Sequence, residues 1–105
     1  MSVRPHHHVG LPMYDLTGFQ RDLLFVIDGM DAPSGREVRD TLERTQDRDV
    51  RHARLYSNLD ALVDEGLVEK DSDGGRTNQY ETTEEGHRAV RERYEWEEKY
   101  LRAAG

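Results

Sequence analysis

The chain has no cysteine, little lysine and no long apolar run. Without cysteine it has no disulfide, no cysteine-ligated zinc site and no thiol redox sensor of its own. No stretch approaches the ~20 apolar residues that cross a bilayer, and the N-terminus lacks the apolar core of a signal peptide. We therefore expect a soluble, cytoplasmic protein with no membrane partner. At 105 residues, 34% of them hydrophobic, the chain can bury one modest core, which a partner chain could complete.

The charges are unusual in sign and in type. The 22 acids outnumber the 15 bases, for a formal net charge of −7, and the only lysines are Lys70 and Lys99. An acidic, lysine-poor surface is typical of proteins that stay soluble in molar salt, although an ordinary acidic domain would also explain it. A negative protein normally repels nucleic acid. In molar salt, however, the Debye length is only ~3 Å, so local arginines would matter more than net charge.

The first 15 residues contain two prolines and a histidine triplet but no helical or strand periodicity, which predicts a flexible arm over 1–15. The triplet His6, His7 and His8 could ligate a divalent metal. Consecutive residues do not share one face of a helix, however, and no carboxylate with ligand spacing lies beside them. A disordered tail or a cloning remnant is therefore the alternative interpretation.

Three helices are predicted after the arm. The pairs Thr17 with Gln20 and Ser34 with Glu37 have the spacing of capping boxes and would begin the first two helices. A third helix is predicted over about 51–65. The side of the third helix that should be buried carries Leu55, Leu59, Leu62 and Val63.

The periodicity then changes from that of helices to that of strands. The runs "LVEKD" and "TNQYETT" flank the turn-rich "SDGGR" and predict a β-hairpin. Thr82 with Glu85 has the spacing of a third capping box, from which a long helix would run to about Ala103. The predicted fold is mainly α with a small β-hairpin: a winged helix-turn-helix over 16–82 and a C-terminal helix over 83–105. Since only one helix follows the hairpin, we expect no separate ligand-binding domain.

In a winged helix-turn-helix the third helix enters the DNA major groove and the hairpin, or wing, lies over the backbone or minor groove. Basic and polar groups occupy the N-terminal half of the predicted third helix, and acids occupy its C-terminal half. The half that would meet base edges is thus the basic one. The candidate DNA-binding residues are Arg51, His52, Arg54, Tyr56, Ser57, Asn58, Arg76, Asn78 and Gln79.

Two of these candidates have competing interpretations. The ring of Tyr56 is expected mainly to pack under the wing, with its hydroxyl as a secondary phosphate contact. Arg76 follows two glycines at the wing tip, where a guanidinium suits a narrow minor groove. The alternative for Arg76 is a solvated turn, because Asp71 and Asp73 would keep anions away.

The last predicted helix carries more apolar surface than a small domain normally covers. Its apolar and aromatic residues form two adjacent stripes. A second copy would cover the excess, and a two-fold dimer would place two third helices on one face of DNA. The candidate dimer-interface residues are Val90, Tyr94, Trp96, Tyr100 and Leu101. In the alternative arrangement the aromatic residues fold back onto the first helix of their own chain.

The runs "LYSNLDALVDEGLVEK" and "GGRTNQYETTEEGHRAV" resemble the PadR-like winged-helix transcriptional regulators. The shared pattern is Tyr-x-x-Leu-x-x-Leu-x-x-x-Gly-Leu, followed by a hairpin that ends Tyr-x-x-Thr-x-x-Gly. It falls on Tyr56, Leu59, Leu62, Gly66, Leu67, Tyr80, Thr83 and Gly86, within a match over about 16–95. The acidic, lysine-poor composition and the opening "DLTGFQRDLLFVI" are similar to haloarchaeal members. The resemblance implies a homodimeric DNA-binding regulator, usually a repressor.

The preferred function is therefore a sequence-specific transcriptional regulator that acts as a homodimer on pseudo-palindromic promoter sites, in a stress response in a high-salt cytoplasm. A winged helix used only for protein interaction would explain the net charge directly. A metal-responsive regulator would use the histidine triplet. No enzyme and no cofactor are predicted, because the sequence has no nucleophile elbow, phosphate loop or carboxylate pair among apolar residues. The sequence does not specify an effector.

Overall fold

The computed structural model describes residues 12–73 and 77–104, which form five helices and one two-stranded antiparallel sheet. The elements are α1 (Pro12–Asp15), α2 (Gly18–Gly29), α3 (Gly35–Gln46), α4 (His52–Asp64), β1 (Val68–Asp73), β2 (Thr77–Thr82) and α5 (Glu84–Ala104). In the described ranges no helix has both the length and the apolar composition that a bilayer crossing requires. The predicted mainly α fold with one hairpin is confirmed.

One hydrophobic core lies where α2, α3 and α4 meet beneath the hairpin. Each of these helices has apolar residues at three- and four-residue spacing, so each has one side that must be buried. The fully buried side chains of the core include Leu23, Leu24, Ile27, Val38, Leu42, Leu55, Leu59, Leu62, Leu67 and Tyr80. The long helix α5 contributes Ala89 and Val90 from its first half. Beyond Val90 the apolar side chains of α5 leave the core.

The first two predicted capping boxes are present. In α2 the Thr17 hydroxyl accepts the amide of Gln20 at 3.1 Å, and the Gln20 side chain accepts the amide of Thr17 at 3.1 Å. In α3, Ser34 and Glu37 make the same reciprocal pair at 3.1 and 2.8 Å. Because both caps satisfy backbone amides that the helix itself leaves free, they fix where these helices begin.

The third predicted capping box is wrong by one residue. The Thr83 hydroxyl, not that of Thr82, accepts the amide of Gly86 at 3.0 Å, and it donates to the carbonyl of Gly66 at 2.7 Å. Thr82 is the last residue of β2, and its hydroxyl donates to the Asp28 carboxylate of α2 at 2.8 Å. The tertiary contact with α2 thus decides which of two adjacent threonines caps α5.

Part of the predicted flexible arm is helical. Residues 12–15 form α1, and Met13 within it is only 1% exposed in the core. The ring of Tyr14 packs edge-on against Trp96 of α5, with 6.0 Å between the ring centres. A single helical turn is too short to show periodicity in the sequence. The rest of the arm, with His6, His7 and His8, lies outside the described residues.

The residues of the family pattern join α4, the hairpin and α5. A Cβ atom on Gly86 would collide with the carbonyl oxygen of Leu67, and the amide of Thr83 donates to that same oxygen at 3.0 Å. Gly66, just after α4, has a φ of 79°, which favours glycine. The amide of Tyr80 donates to the carbonyl of Pro33 at 2.9 Å, which ties β2 to the turn before α3. The pattern therefore describes how the wing is held against the helices.

Candidate nucleic-acid interface

The helix α4 has one buried side and one exposed side, as predicted. Leu55, Leu59 and Leu62 are 0% exposed, and Val63 is half-buried. On the opposite side Arg51, His52, Arg54 and Ser57 are exposed. Arg51 is the N-cap residue of α4 and makes no side-chain capping bond, because a guanidinium has only donors and cannot accept the free backbone amides. The structure thus brings these four predicted residues together at the N-terminal end of α4.

The acids of α4 lie at its other end. Asp60, Asp64 and Glu65 are exposed, and Asp60 lies 3.9 Å from the ammonium of Lys70 on β1. Asp60, the nearest of these acids in sequence, follows Arg51 by nine residues, which is about two and a half turns of helix, or roughly 13 Å along its axis. The basic and acidic ends of α4 therefore form two distinct surfaces.

Arg54 stacks on a ring from α2. Its guanidinium carbon lies 4.0 Å from the centre of the Phe19 ring, and that of Arg48 lies 5.8 Å from the same centre. Phe19 itself is only 6% exposed. Sequence reasoning missed Arg48, which lies between Asp47 and Asp49 in the turn before α4 and looked like part of a polar connection. Its proximity to Phe19 depends on the tertiary fold.

Asn58 is partly committed to bonds within the chain. Its side-chain amide donates to the carbonyl of Arg54 at 2.8 Å, and its oxygen accepts the side-chain amide of Gln20 at 2.9 Å. Ser57 likewise donates to the carbonyl of Arg54, at 3.3 Å. An asparagine side chain has two donors and two acceptor sites, so one of each remains for a ligand. Gln20 thereby fixes the orientation of Asn58 on the exposed side of α4.

Tyr56 packs against the core of its own chain and over the start of α3. It is half-buried against the core, with its hydroxyl directly above Gly35 at the start of α3. A Cβ atom on Gly35 would lie 2.5 Å from that hydroxyl. The ring of His52 lies 4.5 Å from the ring of Tyr56, centre to centre. Tyr56 therefore supports His52 at the N-terminal end of α4.

The wing places two of its three predicted residues on the surface. Asn78 and Gln79 are exposed on β2, whereas Arg76 lies outside the described residues. Between them and α5, Tyr80 is 1% exposed. Burial raises the pKa of the Tyr80 phenol above its ordinary value of 10.0, and the charges of Tyr56 and Asp60 act in the same direction. The phenol therefore stays protonated as a core residue.

The second half of α5 and Tyr14 of α1 expose aromatic and aliphatic side chains, a group that we call the α5 aromatic surface. It consists of Tyr14, Tyr94, Trp96, Tyr100 and Leu101, which are 39% to 74% exposed. The rings of Trp96 and Tyr100 are 5.1 Å apart, and the Arg93 guanidinium lies 4.6 Å from the Trp96 ring centre. At this exposure α2 does not cover these rings. The predicted interface residue Val90 differs: it is 8% exposed in the core of its own chain, because it lies where α5 still packs on α2.

Within the described part of the chain, no group of three histidine, aspartate or glutamate side chains is placed to hold a metal ion. His87, the histidine of α5, instead has its Nδ1 atom 2.9 Å from the carboxylate of Asp28. The histidine triplet of the predicted metal site lies outside the described residues.

Comparison with known proteins identifies the fold. The RosR protein of H. salinarum has a similar structure, with 46% sequence identity over 78% of this chain and 74% of that chain, and a TM-score of 0.74. Two more distant structures share the fold. FabT of Streptococcus pneumoniae, in complex with DNA, has 15% identity over 93% of this chain and 66% of that chain, with a TM-score of 0.73. PadR of Bacillus subtilis, in complex with operator DNA, has 20% identity over 71% of this chain and 45% of that chain, with a TM-score of 0.58.

A comparison with curated protein sequences finds no match. The profile of the transcriptional regulator PadR-like family, however, matches residues 23–92, about two thirds of the chain. The matched segment contains most of α2, all of α3, α4 and the hairpin, and the first half of α5. The winged helix and its DNA-binding role are thus those of a transcriptional regulator. The chain belongs to the PadR-like family.

Proposed function

We propose that the protein is a homodimeric repressor that binds pseudo-palindromic promoter DNA. One observation carries the proposal: the N-terminal end of α4 exposes Arg51, His52 and Arg54 opposite a fully buried leucine stripe. A helix of this kind can enter a major groove with its basic end towards the bases, while its acids face away. The likeness to DNA-bound FabT and PadR supports the same docking mode.

The proposal divides the chain into three parts. Residues 16–82 bind DNA, residues 83–105 dimerise, and 1–15 remain an N-terminal segment of which 12–15 pack on α5. In the DNA-binding part, α4 supplies Arg51, His52, Arg54 and Ser57, with Asn58 restricted to its one free donor and one free acceptor. The wing adds Arg76, Asn78 and Gln79 over the backbone or minor groove.

We propose that two chains dimerise through the α5 aromatic surface, and that Val90 is not part of the interface. Exposed tryptophan and tyrosine rings are enriched at protein interfaces, where their area is buried at low entropic cost. A two-fold axis through α5 would present two copies of α4 to one face of DNA, with half-sites about 34 Å apart. Two half-sites related by that axis form a pseudo-palindrome.

The protein is proposed to work in a high-salt cytoplasm and to have no catalytic activity. Its net charge of −7 and its two lysines suit a medium in which long-range repulsion from DNA is screened. The similarity to RosR of H. salinarum supports such a setting. A role in a stress response is part of the proposal and comes from the resemblance of the sequence to haloarchaeal PadR-like regulators. Repression would result from competition with the transcription machinery at the promoter.

The test is selection of bound sequences from random duplex DNA in molar KCl. The expected result is an enriched inverted repeat that binds two chains per duplex. The control is a variant with Arg51, His52 and Arg54 all changed to alanine, which should enrich nothing. If the intact, folded protein enriches no sequence, the proposal of DNA recognition is wrong. A winged helix used for protein interaction would then be favoured.

A further inference from the structure

We propose that Phe19, Arg48 and Arg54 form a clamp for the DNA phosphodiester backbone, in which Phe19 is the positioning residue. This inference rests on the proposed function and sharpens it, because it assigns Arg54 to the backbone rather than to a base edge. It also adds Arg48, which lies outside α4. The three residues come from α2, the turn between α3 and α4, and α4.

The geometry brings two positive charges around one ring. The guanidinium carbons of Arg54 and Arg48 lie 4.0 and 5.8 Å from the centre of the Phe19 ring. Phe19 is 6% exposed, so the ring is held in place by the core, whereas both arginines are exposed. A guanidinium that stacks on a ring uses its face and keeps its edge N–H donors free. These donors match phosphate oxygens.

The charges of the two arginines are not neutralised within the described chain. Each ion pair found in that region involves other residues, and neither Arg48 nor Arg54 has a carboxylate within ion-pair distance. Asp47 and Asp49 flank Arg48 in sequence, yet neither pairs with it. Two unneutralised positive charges held near one ring create a local positive potential, which attracts an anion. A DNA phosphate supplies such an anion.

The turn that carries Arg48 is fixed on both sides. Before α4, the amide of Val50 donates to the carboxylate of Glu43 at 2.8 Å, and Val50 is 4% exposed. Asp47 ends α3 in the left-handed conformation, with a φ of 53°, and its amide donates to the carbonyl of Glu43. Because the backbone of this turn is already ordered, DNA binding would cost little further backbone entropy, and the contact from Arg48 would be preformed. On this basis Arg48 is a site residue and not merely a solvated charge.

A backbone contact and a base contact differ in what their loss does. Removal of a phosphate contact weakens binding to all sequences by a similar factor and lowers the salt slope by roughly one ion. Removal of a base contact relaxes specificity at one position. The clamp therefore predicts that Arg48→Ala and Arg54→Ala reduce affinity for the selected operator and for an unrelated duplex by the same several-fold factor.

The experiment measures DNA binding by fluorescence anisotropy with both duplexes over a range of KCl concentrations. The matched control is Arg88→Ala, which removes an exposed arginine from α5 and should leave affinity and salt slope unchanged. Arg48→Lys keeps the charge but loses the planar, multi-donor guanidinium, and we expect it to bind between the wild type and Arg48→Ala. Equal binding by Arg48→Ala and the wild type would overturn the clamp.

The role of Phe19 is tested by Phe19→Leu, which keeps an apolar side chain in the core but removes the ring. If Phe19 acts by positioning the two arginines, Phe19→Leu should weaken DNA binding by the otherwise wild-type protein. It should have no further effect when Arg48 and Arg54 are both alanine. An equal loss in both backgrounds would mean that Phe19 acts only on the fold. If Phe19→Leu does not fold, the arginine variants still decide whether the clamp exists.

The failure of the clamp and the failure of the proposed function give different results. If the wild type binds no duplex, both fall. If the wild type binds its operator but Arg54→Ala changes only the preference at one base pair, DNA recognition stands and the clamp is wrong.

Discussion

The Tyr56 hydroxyl sits over Gly35, at 2.5 Å from where a Cβ atom on that residue would be. This close approach joins the start of α3 to the exposed end of α4, since the ring of Tyr56 in turn contacts the tilted ring of His52. The side chain that supports the candidate DNA surface is thus positioned by the absence of a side chain on the neighbouring helix.

Gly35→Ala should move the Tyr56 ring and lower DNA affinity more than it lowers stability. The clashing atoms belong to the ring end of a side chain that is only half-buried, so the ring can swing away and the fold can be kept. The measurements are the melting temperature and the operator affinity. Gly18→Ala is the matched control, because Gly18 is also the first residue of a helix that begins with a capping box. A Cβ atom on Gly18 would meet only the end of the Arg21 side chain, at 3.9 Å. Equal affinity of the two variants would contradict this role of Gly35.

Gly86→Ala should destabilise the protein strongly. The added Cβ would collide with the backbone carbonyl of Leu67, which cannot move without breaking the bond it accepts from the amide of Thr83. Overpacking of this kind costs roughly 1–3 kcal/mol or more. Denaturant unfolding measures the loss. Gly29→Ala adds a Cβ atom that would meet nothing within 4 Å beyond its own stretch of helix, so it should be neutral or slightly stabilising. A similar loss in both variants would show that α5 does not approach Leu67 this closely.

Stability should fall at high pH through Tyr80. Because burial raises the pKa of Tyr80 in the folded chain above 10.0, the unfolded chain loses this proton first as the pH rises. The stabilisation that protonated Tyr80 gives to the folded state is fully present below about pH 10, and it is lost as the pH rises towards the pKa of Tyr80 in the folded chain. The measurement is the free energy of unfolding from about pH 8 to about pH 11. Tyr80→Phe should show a shallower fall than the wild type; equal slopes would mean that the phenol is not buried.

Trp96→Ala should weaken the homodimer. Trp96 lies between the rings of Tyr14 and Tyr100 in the α5 aromatic surface, and tryptophan residues that anchor an interface often contribute roughly 2 kcal/mol or more. Sedimentation equilibrium measures the dissociation constant, which should rise at least tenfold. Arg91→Ala removes an exposed side chain from another side of α5 and serves as control. An unchanged dimer in Trp96→Ala would place the interface elsewhere.

Local features were predictable from the sequence, and contacts between distant segments were not. The stripe of Leu55, Leu59 and Leu62 and the capping boxes at Thr17 and Ser34 depend on residues three or four apart, and all were found as expected. For Thr82 and Thr83, local spacing allowed either cap, and the bond from Thr82 to Asp28, 54 residues away, decided between them.

The same distinction applies to the candidate site. The exposed basic end of α4 follows from helical periodicity, so its residues were identified. The approach of Arg48 and Arg54 to the Phe19 ring joins three parts of the chain and has no local signature. Val90 was misassigned because the period of a helix shows which side is apolar but not where along its length a neighbouring helix ends.

The central claim is that the basic end of α4, and not its acidic end, meets DNA. The most direct measurement is a nuclear magnetic resonance titration of the protein with its selected operator in molar salt. Chemical-shift changes should concentrate at 48–58, at the N-terminus of α2 near Phe19, and at Asn78 and Gln79 of the wing, with little change at 60–65. Shifts confined to α5, or spread equally along both ends of α4, would contradict it.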